Sequence, residues 1–215
     1  MKRFFYILIF SLPFTTSYSQ SKAIELSHYL FPEFTKGVIL MKSGIKREVL
    51  LNYNSLTEEM IFKDNGKVLA IGKEEIGQVD TVYIKERKFV VLNNKFVELL
   101  YQSGSYLYAE HKCSVIPPGK PAPYGGTTET SAIDTYSSLN AGGVLYDLKL
   151  PDGYRTKPFI FYWLKRNGQL VRFLNMKQLA RLYNDKKDQF KAYVKNYNVK
   201  YENQESIVQL IKYLD

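Results

Sequence analysis

The stretch EEMIFKDNGKVLAIG, residues 58–72, contains the pattern that decides the fold. Two short apolar runs flank the pair Asn65-Gly66. Both residues of that pair tolerate the positive φ angles that a two-residue hairpin turn requires. The stretch therefore predicts two antiparallel strands joined by a tight turn.

Similar runs recur along the chain between Phe34 and Cys113, with turn signals about every eight to twelve residues. Within them Val, Ile, Leu, Tyr and Phe take alternate positions, which indicates strands with one buried face and one partly solvated face. About eight such strands in sequence predict an antiparallel β meander over residues 20–113 that curls into a small barrel or sandwich.

Residues 114–143 interrupt this pattern with prolines, glycines, serines and threonines. Prolines block helices and remove hydrogen-bond donors from sheets, so this segment predicts a connecting loop that folds back over the sheet. Exposed tyrosines beside a polar loop can stack on sugar or peptide groups. We therefore take Tyr124, Tyr136 and Tyr154 as candidate binding residues, with tyrosines that cap a sheet core as the alternative.

Residues 144–215 predict three more strands followed by three helices. The runs KPFIFYWLKR and QLVRFLN flank Asn167-Gly168, a second hairpin signal. Asn175, Asn184 and Asn203 each precede a stretch with helical periodicity and are predicted to cap it. Strands followed by helices predict an α+β fold, with residues 144–215 packed on the same core as the meander.

The N-terminus has the pattern of a secretory signal peptide over residues 1–19. A positive start is followed by the apolar run Phe4–Phe14, and Ser17 and Ser19 place small residues before a cleavage point. A membrane anchor is the alternative, but it needs about 20 apolar residues and this run is shorter. The pattern predicts export to the periplasm, the outer surface or the medium.

The inventory of reactive residues restricts the possible chemistry. His28 and His111 are the two histidines, and Cys113 is the one cysteine, so an internal disulfide is impossible. His111 and Cys113 share a strand face and could form half of a zinc site or a thiol–imidazole pair, although a buried cysteine is often only a small hydrophobe. The glycine patterns of nucleotide-binding loops are missing from the sequence. We therefore predict no metal and no cofactor.

Positive charge is concentrated at the C-terminus. Residues 154–215 contain 13 basic and 5 acidic residues, whereas residues 20–153 contain 15 and 16. Lys187, Lys191 and Lys195 recur every four residues along one predicted helix. Such a stripe can contact an anionic partner such as a glycan or a lipid headgroup, or can simply keep the helix solvated. Export argues against nucleic acid as the partner.

Four segments resemble those of a set of exported hypothetical proteins of Bacteroidetes-type bacteria. These segments are IPPGKPAPYGG, LKLPDGY, KPFIFYWLKRNGQ and the C-terminal ESIVQLIKYL. The resemblance spans most of the chain after residue 19. It implies export and a shared fold, and it assigns no catalytic residue.

Together these features favour an exported, non-catalytic protein of the cell envelope with a binding or assembly role. Its partner would be an anionic envelope component or another envelope protein, and no transmembrane segment is expected after the signal peptide. The alternative is a hydrolase of unfamiliar type that uses scattered carboxylates or the pair His111 and Cys113.

Overall fold

The computed structural model describes residues 28–116, 120–121, 127–128 and 155–215. The strands in these residues are β1 Thr35–Met41, β2 Lys46–Asn54, β3 Glu59–Asp64, β4 Lys67–Ala70, β5 Val79–Ile84, β6 Arg87–Leu92, β7 Lys95–Gln102, β8 Tyr106–Ile116, β9 Lys120–Pro121, β10 Thr127–Thr128, β11 Arg155–Arg166 and β12 Gln169–Phe173. The helices are α1 Lys73–Ile76, α2 Met176–Leu182, α3 Lys187–Tyr197 and α4 Gln204–Leu214.

Ten strands form one antiparallel sheet in the order β12-β11-β8-β7-β6-β5-β1-β2-β3-β4, and β9 pairs with β10. The predicted α+β class is confirmed, and strands β1 to β8 correspond to the eight predicted strands. Over the described residues the large sheet is open, with β4 and β12 at its edges. A closed barrel or a sandwich is therefore not confirmed.

The order of the strands departs from a simple meander at β5, which pairs with β1 rather than with β4. The short helix α1, which sequence patterning missed, reverses the chain between Gly72 and Gly77. Lys42 then holds the returning chain, because its backbone N–H donates to Gln78 O at 2.8 Å and its Nζ donates to Gly77 O at 2.7 Å. These contacts place β5 beside β1.

The predicted hairpin turns are confirmed by their backbone angles. Asn65 and Gly66 have φ angles of 47° and 78°, and Asn167 and Gly168 have φ angles of 52° and 76°. Positive φ at both central residues is the requirement of the type I′ turn, whose twist matches that of the strands it joins.

Two of the three predicted helix caps are confirmed. Asn175 accepts a hydrogen bond from Gln178 N, and Asn203 accepts one from Ser206 N. The prediction for Asn184 is wrong, because residues 184–186 form a 3-10 turn and α3 begins at Lys187 without a side-chain cap.

Two large hydrophobic clusters lie on one face of the sheet, at different strands. In the first, α2, α3 and α4 pack against the face of β7, β8, β11 and β12 that carries Leu107, Tyr162 and Phe173. In the second, Leu51, Phe89 and other apolar side chains of β1 to β3 and β5 to β7 pack together. Strand β7 contributes side chains to both clusters.

Three predicted segments lie wholly or partly outside the described residues. These are the signal peptide at residues 1–19, the strand predicted after residue 143, and most of the loop at 114–143. The start of that loop is corrected, because β8 continues through Ser114 to Ile116 and pairs with Arg155 at the start of β11.

Gly37 lies in β1, between β2 and β5, and its lack of a side chain allows the strands to approach. A Cβ atom there would lie 2.5 Å from the carbonyl oxygen of Tyr83 and 2.8 Å from Cδ1 of Leu51. We expect Gly37→Ala to lower the free energy of unfolding by about 1–3 kcal/mol, because backbone and core atoms must shift.

The matched control is Gly77→Ala. Gly77 has a helical φ of −64°, and a Cβ there would meet no atom closer than 3.9 Å. This variant should be as stable as the parent or up to about 1 kcal/mol more stable. Urea unfolding of both variants measures the difference, and equal stabilities would contradict the packing argument.

Candidate functional site

A cleft of about 820 Å³ opens between the chain segment that precedes β1, strand β11 and the start of α4. Tyr29 and Leu30 line one wall, and residues 157–160 of β11 line another. Tyr201 closes a third side, where its hydroxyl donates to Ile160 O at 2.9 Å. The volume falls in the range of small-molecule sites, which are mostly apolar with a few placed polar groups.

The polar groups of the cleft come from adjacent strands. Arg87 at the start of β6 and His111 on β8 both line the cleft, and both contact Glu98 on the intervening strand β7. Arg87 Nε and Nη2 donate to the two carboxylate oxygens of Glu98 at 2.6 Å and 2.5 Å. His111 Nε2 lies 2.7 Å from Glu98 Oε2. We call these three residues the Glu98 cluster.

The charges of the Glu98 cluster follow from its burial and its hydrogen bonds. Burial alone would raise the pKa of the Glu98 carboxyl, but the hydrogen bonds from His111 and Arg87 outweigh it and hold that pKa below its usual value. Burial, together with the nearby positive charge of Arg87, lowers the pKa of His111 despite the opposing effect of Glu98. At neutral pH the cluster therefore contains a carboxylate, a guanidinium and a neutral imidazole.

The nearer of two partners assigns the tautomer of His111. Nε2 lies 2.7 Å from Glu98 Oε2, which only accepts, and 3.0 Å from Arg87 Nη2, which only donates. We assign the proton to Nε2, because the carboxylate is the nearer partner. Nδ1 is then an acceptor, and none of the described residues donates to it. Likewise, no described residue accepts a hydrogen bond from Arg87 Nη1. The cluster thus retains one acceptor and one donor on residues that line the cleft.

Aromatic rings hold the Arg87 guanidinium in place. Its Cζ lies 5.2 Å from the ring centre of Phe31 and 5.6 Å from that of Phe89, within the range of cation–π attraction. Asn52 fixes Phe31 in turn, by accepting from its backbone N–H at 3.1 Å and donating to its carbonyl at 2.9 Å. Arg87 is therefore oriented from both sides before any ligand binds.

Cys113 does not form the predicted pair with His111 in this structure. Its thiol donates to the carbonyl of Ser114 at 3.5 Å, and its side chain packs with Leu56 and Val115. Burial raises the pKa of the thiol, which disfavours the nucleophilic thiolate. Within the described ranges no group of three or more His, Cys, Asp or Glu residues is arranged to hold a metal ion.

A second ionic cluster lies beside the cleft, around Glu58. Lys95 Nζ is 2.5 Å from Glu58 Oε2, and Lys112 forms an ion pair with the other oxygen. Glu110 lies 3.6 Å from Lys95 and accepts a hydrogen bond from Trp163 Nε1 at 2.9 Å. These contacts enclose the side chain of Glu58, which is 10% exposed, at a turn residue whose backbone has a φ of 61°.

The predicted binding residues have different outcomes. Tyr124, Tyr136 and Tyr154 lie outside the described residues. Lys187, Lys191 and Lys195 are all exposed on α3, as expected of a helical stripe. Lys187 and Lys191 line a small groove between α2 and α3, whereas Lys195 does not.

Sequence patterning missed Arg87 and Glu98. The sequence did contain one signal for Glu98. It alternates with Phe96 and Leu100 along β7, so a carboxylate occupies a position where the alternation predicts a buried apolar side chain. An acidic residue in a buried phase requires a partner. Its partners come from neighbouring strands, and a pattern in one strand does not identify them.

No protein-family model, curated protein or solved structure matches this chain. Within the described ranges, no helix combines the length and the apolar character needed to cross a membrane.

The depressed pKa of His111 has a consequence for stability. As the pH falls through about 6.5, the unfolded chain binds a proton at this histidine while the folded chain does not, so the folded state loses stability. The loss is at most about 1.4 kcal/mol per pH unit. We expect His111→Gln to reduce the fall in the free energy of unfolding between about pH 7.5 and pH 5.5.

Urea unfolding at a series of pH values measures this effect. His28→Gln is the control, because it leaves His111 and Glu98 in place and should retain the contribution of His111. Identical pH profiles for the parent and His111→Gln would contradict the neutral, buried state of this imidazole.

Proposed function

We propose that this protein is an exported, non-catalytic binding protein of the bacterial cell envelope, and that its cleft holds a small ligand. The N-terminal pattern of residues 1–19 supports export. The observation that carries the binding role is the cleft itself, where a prearranged donor and acceptor share a mostly apolar enclosure. In this proposal the curled sheet acts as a half-barrel scaffold for the cleft.

The charges of the lining residues favour a neutral ligand. Arg87 is balanced by Glu98, and Lys112 is balanced by Glu58. Lys157 and Glu202 also line the cleft and have opposite signs. With no excess of either sign, an anion would be desolvated in the cleft without a compensating cation.

The Glu98 cluster specifies the polar head of the ligand. Arg87 Nη1 offers a donor and His111 Nδ1 offers an acceptor, so the complementary head carries an acceptor next to a donor. A primary amide is the simplest such group, because its carbonyl accepts and its NH₂ donates. A carboxylate satisfies the arginine but presents a second lone pair to the histidine.

The apolar walls specify the body of the ligand. Tyr29, Leu30, Phe159, Ile160 and Tyr201 surround the space next to the polar groups. Aromatic walls pack well against a flat ring through stacked or edge-on contacts. The proposed ligand is therefore a small amide with an aromatic or aliphatic body.

One observation favours a hydrolase as a second candidate. Glu98 orients His111 as the carboxylate of a catalytic triad orients its histidine, and Ser55 lines the same cleft. A hydrolase would use Ser55 as the nucleophile and His111 as the base. The structure shows no hydrogen bond between the two side chains in the described residues, and we therefore place this candidate second.

The binding proposal is tested with three probes: phenylacetamide, phenylacetate and N,N-dimethylphenylacetamide. Each probe is titrated into the mature chain, residues 20–215, and binding is followed by heteronuclear NMR. We expect saturable shifts for residues that line the cleft with phenylacetamide. Weaker binding is expected for the charged acid and for the dimethyl amide, which lacks the donor. Absence of saturable binding by all three probes would refute the proposal.

A blocking variant locates the binding. Leu174 lines the cleft and is 38% exposed, so Leu174→Trp should fill the entrance and weaken phenylacetamide binding by about tenfold or more, with little loss of stability. Leu50 is 39% exposed and does not line the cleft, so Leu50→Trp is the matched control and should bind normally. Equal binding by both variants would place the probe elsewhere.

The hydrolase candidate is tested separately with p-nitrophenyl acetate. The binding proposal expects the parent and Ser55→Ala to release nitrophenolate at the same slow rate. A rate that depends on both Ser55 and His111 would replace the binding proposal with the hydrolase.

A further inference from the structure

A groove of about 270 Å³ between α2 and α3 concentrates positive charge. Its cationic walls are Lys177 and Arg181 from α2, and Lys187 and Lys191 from α3. Ala180 and the buried ring of Phe190 contribute apolar surface, and Asn184 contributes an amide. No acidic residue lines the groove among the residues that the structure describes.

The arrangement places like charges together twice. Lys177 and Arg181 are four residues apart on α2, and Lys187 and Lys191 are four residues apart on α3. Like charges at this spacing repel each other on a helix. The two pairs also face each other across one groove, which adds to the repulsion. Among the described residues that line the groove, none is acidic and could offset it.

The nearby carboxylates do not neutralise the groove. Asp185 is engaged by Arg166, whose Nη1 and Nη2 donate to its two oxygens at 2.9 Å and 2.6 Å. Asp188 is exposed on α3 and does not line the groove. The four cations therefore create a local positive field that a bound anion would relieve.

We propose that this groove binds a phosphate group. A phosphate has three oxygens that accept charge-assisted hydrogen bonds, which matches convergent ammonium groups and the fork of a guanidinium. A groove of about 270 Å³ accommodates one phosphate group and only a small part of the molecule that carries it. The site is separate from the cleft and does not depend on the ligand proposed there.

The phosphate could belong to a membrane lipid or to a soluble molecule, and two arms separate these sources. The first arm measures co-sedimentation of the mature chain with phosphatidylcholine vesicles, with and without phosphatidylglycerol. The second arm titrates inorganic phosphate and glycerol phosphate, followed by heteronuclear NMR of residues in α2 and α3. Binding in either arm supports the site and identifies the source.

Charge reversal distinguishes the groove from a general basic surface. Lys187→Glu combined with Lys191→Glu should weaken binding by about tenfold or more, because both changes place a carboxylate in the groove. The control combines Lys195→Glu with Lys200→Glu. It makes the same change of net charge at exposed residues outside the groove, and it should weaken binding by about threefold or less.

Circular dichroism and the free energy of unfolding establish that each variant is folded. If the Lys187/Lys191 variant is unfolded, Arg181→Gln replaces it, and the same loss of binding is expected. The proposal is overturned if neither arm shows binding, or if the groove and control variants lose affinity equally.

Discussion

Glu98 is 4% exposed, and it remains a carboxylate only because Arg87 and His111 both bond to it. A buried charge without partners is costly, so this cluster constrains the register of β6, β7 and β8. If those strands shifted by one residue, each side chain would move to the opposite face of the sheet. The positions of Arg87 and His111 in the cleft therefore depend on the Glu98 carboxylate.

Contacts around the same cluster connect β2 and the segment before β1 to β6 and β8. Arg87 stacks against Phe31, and Asn52 binds the backbone of Phe31 on both its N–H and its carbonyl. Tyr53, which follows Asn52 in β2, donates its hydroxyl to the carbonyl of His111 at 3.3 Å. A side chain of β2 thus contacts β8, although four strands lie between these two in the sheet.

Local signals in the sequence predicted much of the fold. Asn-Gly pairs predicted two hairpins, alternation predicted strands β1 to β8, and two asparagine caps located α2 and α4. These features depend on backbone angles and on spacing within a few residues. The pairing of β1 with β5 depends on contacts of Lys42 with a distant turn, and no local pattern encodes such contacts.

The cleft was harder to predict for the same reason. His111 was identified because histidine is rare in this chain, but its assigned partner Cys113 is two residues away, whereas its partners in the structure lie on other strands. Glu98 was visible only as a carboxylate within an apolar phase. The exposure of Lys187, Lys191 and Lys195 followed more directly from the sequence, since periodicity along one helix indicates which side chains share a face. The groove also includes Lys177 and Arg181 from α2. The packing of α2 beside α3 cannot be predicted from the pattern of either helix alone.

Hydrogen bonds at the two ends of the α4 region attach the C-terminal helices to the sheet and to the turn before α3. Asp215 accepts hydrogen bonds from Ser105 N and Oγ at 2.9 Å and 2.8 Å, and Lys186 Nζ donates to the carbonyl of Leu214. These bonds fix the end of α4 to the β7–β8 turn and to the 3-10 turn before α3. Tyr201, in the turn before α4, lines the cleft and donates a hydrogen bond to the carbonyl of Ile160 in β11. Helix α3 packs with α4 in the same hydrophobic cluster, so these bonds also anchor the helix that carries the lysines. The same set of helices thus borders a cleft whose charged groups are paired and a groove lined by four cationic side chains. The two sites therefore favour ligands of different charge.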